Sequence, residues 1–332
     1  MTTAELTKAD FQSDQETRWC PGCGDYAILS AVQGLLPELG VAPENTVFIS
    51  GIGCAGRFTY YVDTYGMHSI HGRAPAVATG LVAARDDLSV WVVSGDGDAL
   101  SIGGNHLIHS LRRNVPMKLL ICNNRIYGLT KGQISPTSER GKVTKSTPEG
   151  SVEAPLDPIS LALGSGATFV ARTVDRDKAH MTEVLRAAAH HPGMAVVEIL
   201  QNCPVFNDEH HIHVTDKAQA AINRIELVHG QPVRFGAEGE RGVVALPGGG
   251  LAFGDAADAI IHDATAADPT LAFAINGLGD PMTGPVALGI FRNVQAPIWA
   301  EGVTARLKAS RVGLGDADID ALLHEGNTWT VA

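Results

Sequence analysis

Apolar and polar positions follow one another in blocks that predict alternating strands and helices. Short runs rich in β-branched residues predict buried strands over residues 47–50, 88–94, 117–122, 168–171 and 195–200. Apolar residues at helical spacing predict helices over residues 25–36, 75–85, 101–113 and 177–190. This alternation predicts an α/β fold built on a doubly wound, mostly parallel sheet.

The periodic pattern weakens in two regions. Residues 130–151 are polar and rich in Gly, Thr and Ser, which predicts a loop. Beyond residue 224 the chain is rich in Gly and less periodic. We therefore expect a sheet domain over residues 1–225 and a C-terminal extension over residues 226–332 that packs on a partner subunit.

Composition and charge narrow the class of protein. With 332 residues, 45% of them hydrophobic, the chain can bury one large core or two smaller ones. A net charge of −11 without a long Lys or Arg run argues against a nucleic-acid partner. The sequence lacks an apolar run long enough to cross a membrane, and its polar N-terminus is unlike a signal peptide. We expect a soluble cytoplasmic protein that does not bind membranes.

Two polar segments follow neighbouring predicted strands. Gly95-Asp96-Gly97-Asp98 comes after the strand over residues 88–94, and Asn123-Asn124 comes after the next strand. Ligands of open α/β sheets bind at the carboxyl ends of the strands, so both segments should meet one ligand. Asp96 and Asn124 offer the oxygen atoms that Mg²⁺ prefers, and the glycines let a phosphate approach the backbone. The alternative is a pair of ordinary strand-to-loop turns.

The chain has five cysteines, which are few, odd in number and widely spread. This distribution argues against a secreted disulfide scaffold and favours a reducing compartment. Cys122 ends an apolar strand and has the features of a small buried hydrophobe. The other four lie in segments with Gly or Pro: Cys20, Cys23, Cys54 and Cys203.

Four loop cysteines can hold a [4Fe–4S] cluster or a structural zinc ion. A zinc ribbon normally has two close Cys pairs, whereas this chain has one pair and two single cysteines. The spacing therefore favours a cluster over zinc, and unliganded thiols remain a third alternative. A thioredoxin-like Cys-x-x-Cys lacks a fitting βαβ context around Cys20.

Together these segments resemble the β subunits of 2-oxoacid:ferredoxin oxidoreductases, and most of all the 2-oxoglutarate type of actinobacteria. The resemblance covers nearly the whole chain. It rests on the segments 19–24 (Trp-Cys-Pro-Gly-Cys-Gly), 53–54, 95–98, 123–132 and 203–208 (Cys-Pro-Val-Phe-Asn-Asp). It implies that residues 1–225 form a thiamine diphosphate-binding domain of the pyrophosphate type that carries the cluster loops.

The resemblance also implies the cofactors and the residues that bind them. Mg²⁺ would be held by Asp96, Asn124 and the carbonyl of Ile126. One [4Fe–4S] cluster would be ligated by Cys20, Cys23, Cys54 and Cys203. The residues expected around thiamine diphosphate are Ile52, Gly53, Cys54, Ala55, His71, Gly95, Asp96, Gly97, Asp98, Asn124, Ile126, Gly128 and Leu129.

Three further side chains are candidates for catalysis. Arg57 and Lys131 would bind the carboxylates of the 2-oxo acid, and His71 would contact the cofactor or the substrate. The alternatives are two solvated surface cations and a structural histidine. The tract His210-His211-Ile212-His213 suggests metal binding only weakly, and we expect a solvated loop there.

The implied reaction is oxidative decarboxylation of 2-oxoglutarate with coenzyme A to succinyl-CoA and CO₂. Single electrons would pass through the cluster to ferredoxin, or the reaction would run in reverse. Because the chain carries only the pyrophosphate-binding half, an α subunit should supply the activating Glu in an (αβ)₂ assembly. The alternatives are a non-redox thiamine decarboxylase or synthase subunit with structural zinc, and a non-catalytic regulatory subunit.

Overall fold

The computed structural model describes residues 6–279, 281–313 and 318–331. Eleven strands are present in this part of the chain. In chain order they are β1 (Thr46–Ser50), β2 (Tyr65–His68), β3 (Ser89–Gly95), β4 (Lys118–Asn123), β5 (Phe169–Val174), β6 (Ala195–Leu200), β7 (Arg224–Leu227), β8 (Arg234–Phe235), β9 (Arg241–Ala245), β10 (Leu251–Asp255) and β11 (Val286–Asn293). The α-helices are α1 (Asp25–Leu35), α2 (Ala74–Ala84), α3 (Asp96–Leu100), α4 (Gly104–Arg112), α5 (Pro158–Gly164), α6 (Lys178–His190), α7 (Ile212–Thr215), α8 (Lys217–Asn223), α9 (Thr270–Asn276), α10 (Trp299–Arg311) and α11 (Ile319–Leu323).

The main sheet has eight strands in the order β2-β1-β3-β4-β6-β5-β11-β7. Its pairings are parallel except the one between β11 and β5. Strands β8 to β10 form a separate antiparallel sheet. The α/β fold with a doubly wound, mostly parallel sheet is thus confirmed.

Helices cover both faces of the main sheet, which explains why its central strands are continuously apolar. In β3, Trp91 and Val93 face a core formed with α1 and α6. Val90 and Val92 face the opposite core, formed with α2, α4, α5 and α9. The central strands therefore stand between two apolar layers, and polar side chains collect where the strands end.

The five predicted strands are present, and β5 extends past its predicted end to Val174. The helix predicted over residues 101–113 is present as α4, which begins at Gly104, and a short helix that was not predicted, α3, precedes it. A side chain at Gly72 would lie 2.5 Å from the backbone nitrogen of Gly103. The loop before α2 therefore packs directly against the backbone of the segment between α3 and α4, where the helical conformation is interrupted.

The C-terminal region contributes to the main sheet. Strand β11 lies beyond residue 226, yet it pairs with β5 and with β7. Part of the predicted extension is therefore built into the sheet, and its packing on a partner stays a prediction. Within the described residues, no helix is long and apolar enough to cross a membrane.

Candidate active site

A cavity of about 210 Å³ opens at the carboxyl ends of β3 and β4. It brings together every residue that the resemblance implies around thiamine diphosphate. Four further residues of its lining were not predicted from the sequence: Cys122, Tyr127, Thr130 and Gln201. The side chains that follow neighbouring parallel strands thus meet in one place, as their position after the strands predicts.

Asp96 is one of two buried carboxylates of this cavity, and its exposed fraction of 2% equals that of Asp98. Asp96 Oδ2 accepts hydrogen bonds from Ser135 Oγ at 2.5 Å and from Thr137 Oγ1 at 2.6 Å. Burial raises the pKa of Asp96, although these hydrogen bonds oppose the rise. Ser135 and Thr137 lie in the aperiodic stretch 130–151, where no local pattern points to a carboxylate partner.

Asn124 lines the same cavity, and both atoms of its side-chain amide have hydrogen-bond partners. Its Nδ2 donates to Gln201 Oε1 at 2.8 Å, and its Oδ1 accepts from the backbone N–H of Ile126 at 3.1 Å. Asp96, Asn124 and Ile126 line the same cavity. A carboxylate, an amide oxygen and a backbone carbonyl are hard oxygen donors, so this set fits Mg²⁺.

Gly97 allows a close approach between the Gly-Asp-Gly turn and an aromatic ring. A Cβ atom at Gly97 would lie 2.3 Å from Tyr127 Cε1. The Tyr127 hydroxyl donates to the Gly97 carbonyl at 2.8 Å. The ring therefore covers the turn, and any larger residue at position 97 would displace it.

Asp98 has a different environment from Asp96, since its carboxylate connects three chain segments. Its Oδ1 accepts from Ile52 N at 3.0 Å and from Gly72 N at 2.7 Å. His71 Nδ1 lies 2.5 Å from the same oxygen, and Ser94 Oγ donates to Oδ2 at 2.5 Å. The carboxylate thus holds two loops against the end of β3, and it fixes one nitrogen of His71.

A second cavity, of about 410 Å³, is lined by Cys20, Cys23, Cys54 and Cys203 together with Arg57 and Lys131. It shares part of its wall with the first cavity. The shared residues are Cys54, Asn124, Gly128, Leu129 and Gln201. The four loop cysteines therefore converge beside the predicted cofactor site, although they come from three distant parts of the chain.

The sulfur atoms have an environment suited to thiolate ligands. A Cβ atom at Gly128 would lie 3.5 Å from Cys203 Sγ and 3.7 Å from Cys54 Sγ, so these sulfurs flank one glycine. Burial raises the pKa of Cys23 above its usual range and that of Cys54 to about 12. Thiolates shielded from water need positive charge nearby, which the iron of an iron–sulfur cluster or a zinc ion supplies. Within the described residues, no three His, Cys, Asp or Glu side chains are grouped so as to hold a single metal ion.

The three candidate catalytic residues are divided between the cavities. His71 lines the first cavity, whereas Arg57 and Lys131 line the second. Arg57 Nη1 donates to the Arg18 carbonyl at 3.1 Å, and Lys131 is exposed. Their binding of substrate carboxylates stays a prediction.

The expectation of a solvated loop at the histidine tract is wrong. His211 and His213 have exposed fractions of only 3% and 6%. His211 Nε2 lies 3.2 Å from the carbonyl of Asn123, so the tract packs under the end of β4. Burial and the Arg125 guanidinium lower the pKa of His211 well below its usual value and that of His210 to about 4. The three histidines in the sequence gave no indication that the tract is buried.

Comparisons with known proteins agree on one family. A model of the thiamine pyrophosphate enzyme C-terminal TPP binding domain matches residues 51–199. The chain is 57% identical over 329 residues to 2-oxoglutarate oxidoreductase subunit KorB of Mycobacterium tuberculosis, covering 97% of this chain and 88% of that protein. It is 46% identical over 200 residues to 2-oxoacid:ferredoxin oxidoreductase 1, subunit beta, of Aeropyrum pernix, covering 60% of this chain and 63% of that protein.

One solved structure is similar over nearly its full length. It is the 2-oxoglutarate:ferredoxin oxidoreductase from Magnetococcus marinus with 2-oxoglutarate, coenzyme A and succinyl-CoA bound. The TM-score is 0.78 at 32% sequence identity, and 98% of each chain is covered.

Proposed function

The chain belongs to the 2-oxoacid:ferredoxin oxidoreductase family as a β subunit of the 2-oxoglutarate type, and we propose that its two cavities form half of an active site. The resemblance indicated by its motifs is thereby confirmed. The complete enzyme would convert 2-oxoglutarate and coenzyme A to succinyl-CoA and CO₂ with electrons passing to ferredoxin, or catalyse the reverse. The observation that carries this proposal is the shared wall of the cavity with oxygen ligands and the cavity with cysteines.

In the first cavity the chain would bind the diphosphate of thiamine diphosphate through Mg²⁺. Asp96, Asn124 and the Ile126 carbonyl would hold the ion, and Ser135 and Thr137 keep the Asp96 carboxylate in one orientation. When bound, the cofactor supplies the carbanion chemistry for decarboxylation. The remaining lining residues bind and orient the cofactor, and Asp98 keeps the surrounding loops in position.

In the second cavity Cys20, Cys23, Cys54 and Cys203 would ligate one [4Fe–4S] cluster. Four thiolates match the ligand number of such a cluster. Cys122 lines only the cofactor cavity, whereas the other four cysteines line the second cavity, so Cys122 is not a ligand in this proposal. The wall common to the two cavities would keep the cluster next to the cofactor.

Arg57 and Lys131 would select the substrate by binding its carboxylates. Both line the second cavity, beside the wall that it shares with the first. Replacing Lys131 with Ala should raise the KM for 2-oxoglutarate about tenfold or more, since a charge-assisted hydrogen bond contributes roughly 1.5–3 kcal/mol. The KM for pyruvate, which lacks the second carboxylate, should change much less. Equal changes for both substrates would contradict a role in selecting the distal carboxylate.

A partner subunit would close the cofactor cavity. Two large apolar side chains of its lining, Ile52 and Leu129, are exposed, and so are Ile70, next to His71 in the chain, and Ile102. Exposed apolar clusters of this kind mark interaction sites. We assign this surface to the α subunit, which would supply the activating Glu in an (αβ)₂ assembly located in the cytoplasm.

The proposal is tested with the purified chain and with the co-expressed αβ complex. Each is assayed against a panel of 2-oxo acids with coenzyme A and a viologen dye as electron acceptor. We expect dye reduction only by the complex, with 2-oxoglutarate as the preferred substrate. Turnover by the single chain would refute the need for an α subunit, and a colourless complex with stoichiometric zinc would refute the cluster.

A further inference from the structure

Gln201 is the side chain through which the two cavities are connected by hydrogen bonds. It follows directly after β6, has an exposed fraction of 1% and lines both cavities. Its amide contacts a predicted cluster ligand on one side and a predicted Mg²⁺ ligand on the other. None of the sequence motifs includes it.

The orientation of the Gln201 amide follows from its partners. Nε2 donates to the Asn202 carbonyl at 3.1 Å and to Cys23 Sγ at 3.2 Å, which uses both of its hydrogens. Oε1 accepts from Asn124 Nδ2 at 2.8 Å. Because a carbonyl can only accept, the nitrogen must be the atom that faces Asn202.

This orientation determines that of Asn124. With Asn124 Nδ2 committed to Gln201 Oε1, its oxygen is the atom that accepts from Ile126 N and is left for a cation. A rotated Asn124 amide would present N–H groups to the Mg²⁺ position. The Gln201 amide therefore selects which end of the Asn124 side chain faces the metal.

Packing prevents Gln201 from adopting another position. A Cβ atom at Gly24 would lie 2.8 Å from Gln201 Cγ, so only glycine permits the present fit. Gly24 N donates to the Asn202 carbonyl at 3.1 Å, and Gln201 N donates to the Asn123 carbonyl at 3.0 Å. Backbone hydrogen bonds on both sides thus hold the side chain between Cys23 and Asn124.

We propose that Gln201 is a positioning residue that both tunes the cluster through Cys23 and orients Asn124 toward the metal. The inference rests on the function proposed above. An N–H donor on a ligand sulfur stabilises the added negative charge of the reduced cluster and so raises its reduction potential. The Asn124 contact maintains the affinity for Mg²⁺, as partners of metal ligands do.

The test uses the co-expressed αβ complex with Gln201→Leu or Gln201→Glu. Leu removes both contacts at similar volume. Glu replaces the donor to Cys23 with an oxygen but keeps an acceptor for Asn124 Nδ2. The control is Gln33→Leu, which removes another buried glutamine; its Nε2 donates to the Tyr61 carbonyl, and it lines neither cavity. The readouts are an EPR-monitored redox titration of the cluster and the Mg²⁺ dependence of thiamine diphosphate binding, measured by calorimetry.

We expect both Gln201 variants to shift the cluster midpoint potential to more negative values and to alter its EPR spectrum. Gln201→Leu should also weaken Mg²⁺-dependent cofactor binding about 10–100-fold, whereas Gln201→Glu should stay near the wild type. Gln33→Leu should change neither readout. If Gln201→Leu fails to assemble, Gln201→Met, which lacks the N–H donor and adds no charge, decides through the potential.

An unshifted potential in Gln201→Glu would overturn the proposal, because the hydrogen bond to Cys23 would then have no effect on the cluster. Equal weakening of Mg²⁺ binding in the two variants would overturn the link to Asn124. A wild-type complex without any cluster EPR signal would instead refute the function proposed above, so the two failures are distinguishable.

Discussion

The oxygen ligands and the sulfur ligands of the proposed site are positioned in different ways. Asp96 and Asn124 directly follow β3 and β4, whose pairing aligns Gly95 with Cys122. The cysteines lie in loops, and their exposure ranges from the exposed Cys20 to the buried Cys203. The pairing of β3 with β4 thus places the two oxygen ligands, Asp96 and Asn124. The positions of the four sulfur atoms depend on separate loops.

This difference teaches how each group is prepared for its ligand. Hydrogen bonds from Ser135 and Thr137 orient the Asp96 carboxylate. The half-buried thiols of Cys23 and Cys54 have raised pKa values, chiefly because they are partly removed from water, so they favour the protonated form until a metal compensates their charge. We therefore expect the oxygen site to be preorganised and the sulfur site to depend on assembly of the cluster.

The largest expected effect comes from Asp96→Asn. Removing the carboxylate should lower activity about 100-fold or more, because the metal loses its only charged ligand from this chain in our proposal. Cofactor binding is measured by calorimetry and the cluster by its visible absorbance. The absorbance should be unchanged, since the hydrogen-bond partners of the Asp96 carboxylate are Ser135 and Thr137 and not the residues around the cysteines.

The control for this variant is Asp14→Asn, at an exposed position remote from both cavities. It should behave as the wild type. Loss of the visible absorbance in Asp96→Asn would mean that the cysteine ligands of the cluster depend on the Asp96 carboxylate.

Cys203→Ala tests the cysteine ligands of the cluster, just as Asp96→Asn tests the oxygen ligands of the metal. The variant should lose the visible absorbance and dye reduction, because one of four cluster ligands is missing. Thiamine diphosphate binding should be retained within about threefold, a change of less than about 1 kcal/mol. The matched variant Cys122→Ala removes the buried thiol outside the proposed ligand set and should keep the absorbance. An equally colourless Cys122→Ala would refute the assignment.

Thr137→Val probes the preorganisation of Asp96 and should have an intermediate effect. The change removes a hydroxyl that lies 2.6 Å from Asp96 Oδ2 and 2.9 Å from Asn123 Oδ1. Mg²⁺ affinity should fall about 10–100-fold, and the free energy of unfolding should fall by about 1–3 kcal/mol. Thr182→Val in α6 is the control, since its hydroxyl donates to the Lys178 carbonyl within the same helix. An unchanged Mg²⁺ affinity would mean that Asp96 needs no support from this loop.

The smallest expected effect is a change of stability with pH. It arises from histidines in the segment from Cys203 to His213. His210 and His211 have lowered pKa values when folded, so the unfolded chain binds more protons between about pH 6.5 and 4. The free energy of unfolding is therefore highest above this window and falls as the pH drops through it. The Tm should decrease by roughly a few degrees on acidification from neutral pH to pH 5.

His211→Gln is the matched variant for this measurement. Glutamine can still donate to the Asn123 carbonyl but does not titrate, so the Tm should depend less on pH than in the wild type. An identical pH dependence in the two proteins would show that His211 is not one of the responsible groups.

Most of the fold was predictable because strand and helix periodicity are local properties. The strands that carry Asp96 and Asn124 were predicted within a residue or two of their ends. The break between α3 and α4 was not, since it arises from contact with a loop near Gly72. Likewise, the entry of β11 into the main sheet depends on long-range pairing with β5.

The chemical character of the site was contained in short motifs. The Gly-Asp-Gly turn, the Asn-Asn pair and the four cysteines indicate oxygen ligands and sulfur ligands without any knowledge of their neighbours. The side chains that hydrogen-bond to these ligands could not be predicted from the sequence. Thr137 lies in an aperiodic loop, and Gln201 lies outside the segments that carry the resemblance. The burial of His211 was also predicted wrongly, because a polar tract looks the same on a surface and under a strand end.

Backbone periodicity and ligand chemistry act over a few residues, so the amino-acid order alone determined the fold class and the kinds of ligand atom. Hydrogen bonds between distant segments depend on how helices and loops pack on the sheet. Only that packing decided that Thr137 holds Asp96, and that the amide of Gln201 lies between Cys23 and Asn124.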